Sequence, residues 1–411
     1  MVMQSKEKLK SGLTVLCEDI PYVKSVSLGL LIKSGSRHEH LANSGISHML
    51  EHMSFKGTSS LSARKLAEAF DLLGAYLDAF TGREYTCFVF RMTSDKLPRV
   101  LELLSDMILN SLFAEEEIEK EKSVILEEIK MYMDQPDDVA MNLFMNGLFD
   151  GHPIGRPILG SSETVRSFDR KAVTGYCLEK YVPGNAILCA AGDVDASKFS
   201  ALAGECFSGW KGGFQDSPQE DPAFNFQSIT ENKELEQSHV LIGAEGLKFS
   251  DGRYYALALL NDILGGSVSS RLFQEVREKR GLAYSIQSFS ESYAETGVFA
   301  VYAGTNPDKR KELVEVVLSE IDKLKRDGPD DKELLRAKEQ AKSGLILGLE
   351  STSNRMTRML RQELYFGRFT GLAKTVESIE KVGREDISTL ARALFAEGRV
   401  KTVVYGPKSS S

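Results

Sequence analysis

The chain lacks any apolar run near the roughly 18 residues that a bilayer-spanning helix needs, so no membrane span is expected. It has no basic block or stripe, and its formal net charge is −8. That argues against nucleic acid as the main partner. The opening residues, MVMQSKEKLKSGLTVLCEDI, hold no apolar core followed by a small-residue cleavage site, which argues against a secretory leader. An acidic residue as early as Glu7 argues against a mitochondrial transit peptide. The five cysteines, Cys17, Cys87, Cys177, Cys189 and Cys206, contain no C-x-x-C pair. Odd in number and far apart, they read as free buried thiols in a reducing compartment, and a cytoplasmic location is expected.

What is present is ordinary in bulk and unusual in arrangement. At 411 residues the chain exceeds what one core usually serves, so two domains are expected. Apolar residues make up 42% and charged residues 27%, as in a globular protein. The order of strand and helix patterns then occurs twice. YTCFVFRMTSDKLPRVLELLSDMIL is paralleled by TGVFAVYAGTNPDKRKELVEVVLSEIDKL. EEIEKEKSVILEEIKMYMDQ is paralleled by KELLRAKEQAKSGLILGLES. The offset between the copies stays nearly constant at about half the chain, which marks a duplicated domain rather than a solenoid repeat. The Gly-, Pro-, Asp- and Gln-rich stretch 211–232 reads as the linker. Domains are therefore expected at 1–210 and 233–411, with the linker at 211–232.

The copies differ in one place. GISHMLEHMSFKGT, Gly45–Thr58, holds two of the six histidines and a glutamate: His48, Glu51 and His52. On a helix, residues i and i+4 share a face, so His48 and His52 point the same way with Glu51 beside them. Two neighbouring neutral imidazoles suit a divalent cation, zinc above all. A catalytic zinc has three protein ligands and an open place for water, so one ligand is missing from this stretch. Glu51 is placed to take the proton of that water. Burying this trio costs several kcal/mol unless it is paired or metal-bound. The second copy has no such H-x-x-E-H pattern. The third ligand is sought in EIEKEKSVILEEIKMYMDQ, where Glu121 and Glu128 lie on one helical face and Glu127 points about 100° away into solvent. Helical geometry does not choose between Glu121 and Glu128.

H-x-x-E-H, from His48 to His52, followed well downstream by Glu128, the second glutamate of LEEIKMY, resembles the inverted zinc peptidases of the pitrilysin and insulinase type. Among them the short-chain members, such as the β-subunit of the mitochondrial processing peptidase, are similar over essentially the whole chain. The resemblance implies that His48, His52 and Glu128 are the ligands of one zinc ion per chain. It implies Glu51 as the general base and Glu121 as the carboxylate that orients a ligand. In VREKRGLAYS it implies that Arg277 and Tyr284 reach across from the C-terminal domain to bind the peptide and its oxyanion. In LGAYLDAFTGRE it implies an edge strand on which substrate lies as an added strand, with Asp78, Ala79 and Phe80 in contact. Asp78 stands where the family often has Asn, and an ionised Asp accepts hydrogen bonds but cannot donate them. LLGGSVSSRLF, around Gly265 and Gly266, resembles a shortened form of the glycine-rich loop of the processing peptidase's non-catalytic partner. It is not a phosphate loop, because no Gly-Lys-Ser/Thr follows.

The expected fold is α+β: two homologous domains, each an antiparallel-rich sheet with helices mainly on one face, arranged as half of a clamshell. The expected function is a zinc endopeptidase acting on peptides or presequence-like segments in an enclosed chamber. A homodimer is the expected assembly, with a heterodimer of related subunits as the alternative. The rival functions are a non-catalytic scaffold or presequence-binding subunit of the same fold, and a metal hydrolase of non-peptide substrates.

Overall fold

The computed structural model describes residues 3–213, 221, 222, 224 and 227–408. Ten of the 22 positions of the expected linker lie outside these residues; its last part, Ile229–Asn232, is a strand. In chain order the strands are β1 (Met3–Lys8), β2 (Thr14–Asp19), β3 (Ser25–Ile32), β4 (Tyr76–Thr81), β5 (Thr86–Thr93), β6 (Ala186–Gly192), β7 (Ile229–Asn232), β8 (Ser238–Glu245), β9 (Ala283–Ser292), β10 (Gly297–Thr305) and β11 (Lys401–Gly406). The helices are α1 (Ile46–Met53), α2 (Ala63–Leu72), α3 (Leu97–Asn110), α4 (Glu115–Met133), α5 (Pro136–Leu148), α6 (Ser162–Ser167), α7 (Arg170–Lys180), α8 (Ala196–Cys206), α9 (Tyr254–Asn261), α10 (Arg310–Asp327), α11 (Asp331–Gly348), α12 (Thr352–Phe366), α13 (Leu372–Glu380) and α14 (Arg384–Leu394). No helix among the described residues is long and apolar enough to cross a membrane. The five cysteines are free thiols.

Two compact units form, and neither is a continuous stretch of chain. The first takes residues 1–130, 156–219 and 347–369; the second takes 131–155, 220–346 and 370–411. The first holds a six-stranded sheet in the order β1-β2-β6-β3-β5-β4. The second holds a five-stranded sheet in the order β7-β11-β8-β10-β9. Leaving out β1, the two orders coincide strand for strand, and so do the senses. β2 runs parallel to β6 as β7 does to β11, and every other neighbour is antiparallel. The duplicated sequence pattern is thus a duplicated topology.

Strand β3, SVSLGLLI, shows how each sheet is filled. Its alternate residues Val26, Leu28, Leu30 and Ile32 enter the main core with Met49, Leu50 and Met53 of α1 and Val100, Leu101 and Leu104 of α3. The 97-100-101-104 spacing of α3 is that of one helical face, and Pro98 sits in its first turn, where a missing N–H costs nothing. Leu31 points the other way, into a smaller cluster with Cys87, Ile187 and Cys189 and with Met356, Met359 and Leu360 of α12. The second unit repeats the arrangement. Its opposite face is closed by α5, whose Phe144 packs with Leu241, Ala300 and Val403. Each sheet therefore carries one helix on its second face, and that helix comes from the other half of the sequence. The hydrophobic pattern of the chain gives no sign of this.

A glycine on the middle strand makes room for each of these helices. A Cβ at Gly29 in β3 would lie 2.3 Å from Met356 Sδ and 2.8 Å from Leu360 Cδ1. A Cβ at Gly243 in β8 would lie 2.6 Å from the Phe144 ring. The two glycines lie on β3 and β8, the equivalent middle strands of the two sheets. Phe144 is fully buried, so Phe144→Ala is expected to cost about 3–5 kcal/mol. Denaturant unfolding followed in the second unit should show it, and a change below about 1 kcal/mol would mean that α5 is not a core element.

Candidate metal centre

Helix α1 has eight residues, too few to persist alone, so its surroundings must hold it in place. Gly45 starts it at φ 93°, a backbone conformation suited to glycine, and a Cβ there would lie 2.5 Å from the Leu159 carbonyl oxygen. The next support is Glu39. Its carboxylate accepts the N–H groups of Gly45 at 2.7 Å and Ser47 at 2.8 Å, two donors that a helix start leaves unpaired. Burial pushes the Glu39 carboxyl up to about 7, against the pull of these bonds and of Arg156. The Tyr176 hydroxyl completes the anchor, bonding Ser47 Oγ at 2.8 Å and Ser34 Oγ at 3.0 Å. Every residue of α1 except His52 is buried.

This mounting brings the His48 and His52 rings to 4.5 Å between centroids. His48 Nε2 lies 3.6 Å and His52 Nε2 3.9 Å from Glu128 Oε2 on α4. Burial, helped by the charge of His52, holds His48 down to about 3, so its ring is neutral. Burial raises the Glu128 carboxyl, against the opposing pull of His52. These three lone-pair atoms stand too far apart to hydrogen-bond and gather for no purpose of their own. The distances of the two nitrogens to Glu128 come near those of ligands that share a cation: tetrahedral bonds of about 2.0–2.2 Å imply ligand separations of about 3.3–3.6 Å. Two imidazoles and one carboxylate fit zinc by donor type as well. Among the described residues this is the one group of three or more His, Cys, Asp or Glu side chains that converges so.

The structure separates the two glutamates that helical geometry leaves equivalent. Glu121 Oε2 lies 3.0 Å from His52 Nδ1, the ring nitrogen other than the one facing Glu128. Its second oxygen takes Lys56 Nζ at 2.5 Å. Burial would raise the Glu121 carboxyl, but the bonds from His52 and Lys56 outweigh it and hold it low. Burial likewise works against charge on His52, and the Glu121 bond with the nearby carboxylates raises it on balance. An N–H at Nδ1 donated to Glu121 leaves the Nε2 lone pair free. Glu127 is exposed and pairs with Lys130, as its place on the helix predicts.

Glu51 is buried, and burial raises its carboxyl against the bond from Thr81 and the charge of His52. Thr81 Oγ1 donates to Glu51 Oε2 at 2.5 Å. Thr81 ends β4, the edge strand of the six-stranded sheet, which also carries Asp78, Ala79 and Phe80. Gly82 N–H bonds the Tyr85 carbonyl across the hairpin. By alternation the N–H and C=O groups of Leu77, Ala79 and Thr81 face away from β5, along the open edge. Ala79 N–H accordingly turns to the Asp78 carboxylate at 2.9 Å. The hairpin turn is held through Glu84, which is bonded by Arg37 and, at 2.7 Å, by the Tyr365 hydroxyl. Neither Thr81 nor Glu39 stands out in the sequence. Strand alternation through 77, 79 and 81 could have flagged Thr81, whereas the path of Glu39 to α1 has no local signal.

In the second unit, Arg277 and Tyr284 are neighbours. The Arg277 guanidinium stands 4.7 Å from the centres of both the Tyr284 and Phe273 rings. Tyr284 is 81% exposed and lies on β9, the edge strand that corresponds to β4. Gly265 and Gly266 end a π-helical turn, Asp262–Gly266.

Residues 14–162 match the family described as insulinase (peptidase family M16), and residues 167–341 match the peptidase M16 inactive domain. The Bacillus subtilis protein named "uncharacterized zinc protease YmxG" is 41% identical over 94% of this chain and 95% of its own length. A Rickettsia felis protein named "uncharacterized zinc protease" is 38% identical over 97% of both chains. Among solved structures, a protease from Helicobacter pylori superposes with a TM-score of 0.92 at 25% identity, covering 99% of this chain and 100% of its own. A peptidase M16 inactive domain from Pseudomonas fluorescens, 20% identical and covering 99% and 98%, shares the fold with a TM-score of 0.91. The chain belongs to the insulinase family of peptidases, M16.

Proposed function

We propose that the chain is a zinc-dependent endopeptidase. One observation carries this reading: one ligand atom each of His48, His52 and Glu128 lies within 4.8 Å of the other two, next to the buried Glu51. A zinc ion held by these three groups would supply Lewis acidity for water and for the peptide carbonyl. The chain's residues supply the rest. Glu51, its carboxyl raised by burial, takes a proton from the attacking water and returns it to the leaving amine. Glu121 holds His52 in the tautomer that offers Nε2. The open edge of β4 binds the peptide as an added strand along Asp78, Ala79 and Phe80. Arg277 and Tyr284 bind the peptide and its oxyanion; the exposed tyrosine and the guanidinium over its ring suit that task.

Peptides or presequence-like segments taken into an enclosed chamber, a homodimer, and a cytoplasmic setting belong to the same proposal, with a heterodimer as the alternative assembly. The rival, a non-catalytic subunit, draws on the inactive-domain description of residues 167–341. That description covers none of His48, Glu51, His52 and Glu128, which fall within the match to the peptidase at residues 14–162.

Glu51→Gln should leave about one zinc per chain and lower cleavage of a quenched fluorescent peptide by about 10²–10⁴-fold. Metal analysis beside the peptide assay checks this, and retained cleavage would refute the role of Glu51. Glu121→Gln should weaken zinc by about 10–100-fold, read by competition with a chromogenic chelator. An unchanged affinity would remove Glu121 from the site. Treatment with a chelator should abolish cleavage, and added zinc should restore it; cleavage that survives a demonstrated loss of metal would overturn the proposal.

A further inference from the structure

The Thr81 hydroxyl has one hydrogen, and its environment decides where that hydrogen goes. Thr86 Oγ1 is 3.5 Å away, and it donates its own hydrogen to the Ser34 carbonyl at 3.0 Å. Glu51 Oε2, at 2.5 Å, can only accept when ionised. Thr81 therefore donates to Glu51, a bond that ties β4 to α1, while Thr86, its own hydrogen on the Ser34 carbonyl, has none to give Thr81. The bond takes Oε2 and leaves Oε1 as the oxygen open to a proton. It also freezes a glutamate side chain whose rotamer freedom would otherwise be costly to lose at the moment of reaction.

The backbone of the same residue has a second task. By the alternation along β4, the N–H and C=O of Thr81 face the open edge of the sheet. An extended peptide added there bonds the main chain of the residue whose side chain holds the base. We propose that Thr81 is a positioning residue, which sets one oxygen of Glu51 and ties it to the register of the bound strand. The proposal rests on the peptidase reading. It assigns no contact between Thr81 and the reacting atoms; Thr81 acts through Glu51.

Thr81→Val keeps a β-branched strand former of nearly the same shape and removes only the donor. Thr81→Ser keeps the donor. Steady-state cleavage of a quenched fluorescent peptide should show kcat lowered about 10–100-fold in Thr81→Val, with KM within about twofold and zinc content unchanged, and recovered in Thr81→Ser. In a Glu51→Gln background, Thr81→Val should cost nothing more, since both changes remove the same function. Crystal structures of the zinc-loaded wild type and Thr81→Val give a readout independent of turnover: the Glu51 carboxylate should be single and ordered in the first, and turned or split in the second. The proposal fails if Glu51 keeps its position in the variant, if kcat holds, if the loss lies in KM and serine does not rescue it, or if the two losses multiply. Failure of the peptidase reading looks different: Glu51→Gln alone then makes no difference to cleavage.

Discussion

The bond between His52 and Glu121 is the constraint on which the site turns. It settles which nitrogen of His52 faces Glu128, and it holds α4 against α1. The stripe of α4 that carries its buried residues and Glu128 runs Ile118, Glu121, Ile125, Glu128, spaced three, four and three apart. A purely apolar stripe would dock the helix more cheaply. Here alternate places are given to carboxylates, and only Ile118, Glu121 and Ile125 are buried. Lys56 balances Glu121, and the imidazoles stand before Glu128. The helix is thus held by the same groups that form the candidate metal centre, so its docking and that cluster are one arrangement.

A second support lies at the far end of α1. Glu39 and the Tyr176 hydroxyl hold the helix start, while Thr81 and Glu121 hold side chains near its end. This short helix is clamped from four different elements. Groups meant to converge need such a frame, because a drift of about one ångström in either imidazole would spoil the spacing.

Much of this was legible in the sequence, and the reasons divide cleanly. Helical spacing was enough to put Glu121 and Glu128 on one face of α4 and Glu127 on another, because it needs only local geometry. The i, i+4 rule placed His48 and His52 on one face, since it needs only local geometry. The same rule could not rank Glu121 against Glu128, because a step of two helical turns returns to nearly the same face. What separates them is which ring nitrogen each meets, a fact of tertiary packing. Thr81 and Glu39 escaped for a related reason. Thr81 meets a residue far back along the chain, and Glu39 turns back on itself through an irregular loop. The make-up of the two units escaped as well, since residue pattern records that a helix has an apolar face but not which sheet it covers.

The two helices that close the second faces have counterpart positions in the repeat. α5 begins at Pro136 and α12 at Thr352. Each follows its own copy of the long helix, α4 or α11, and each serves the sheet of the opposite copy. This is the pattern of a domain-swapped pair, with both partners joined in one chain. Gly29 and Gly243, one per repeat, are the sockets of that reciprocal exchange. A break in the linker would therefore not yield two self-sufficient domains. Each half would carry a socket without its plug, and a plug without its socket, so the covalent connection guarantees at fixed one-to-one stoichiometry what a dimer of separate repeats would have to find by collision.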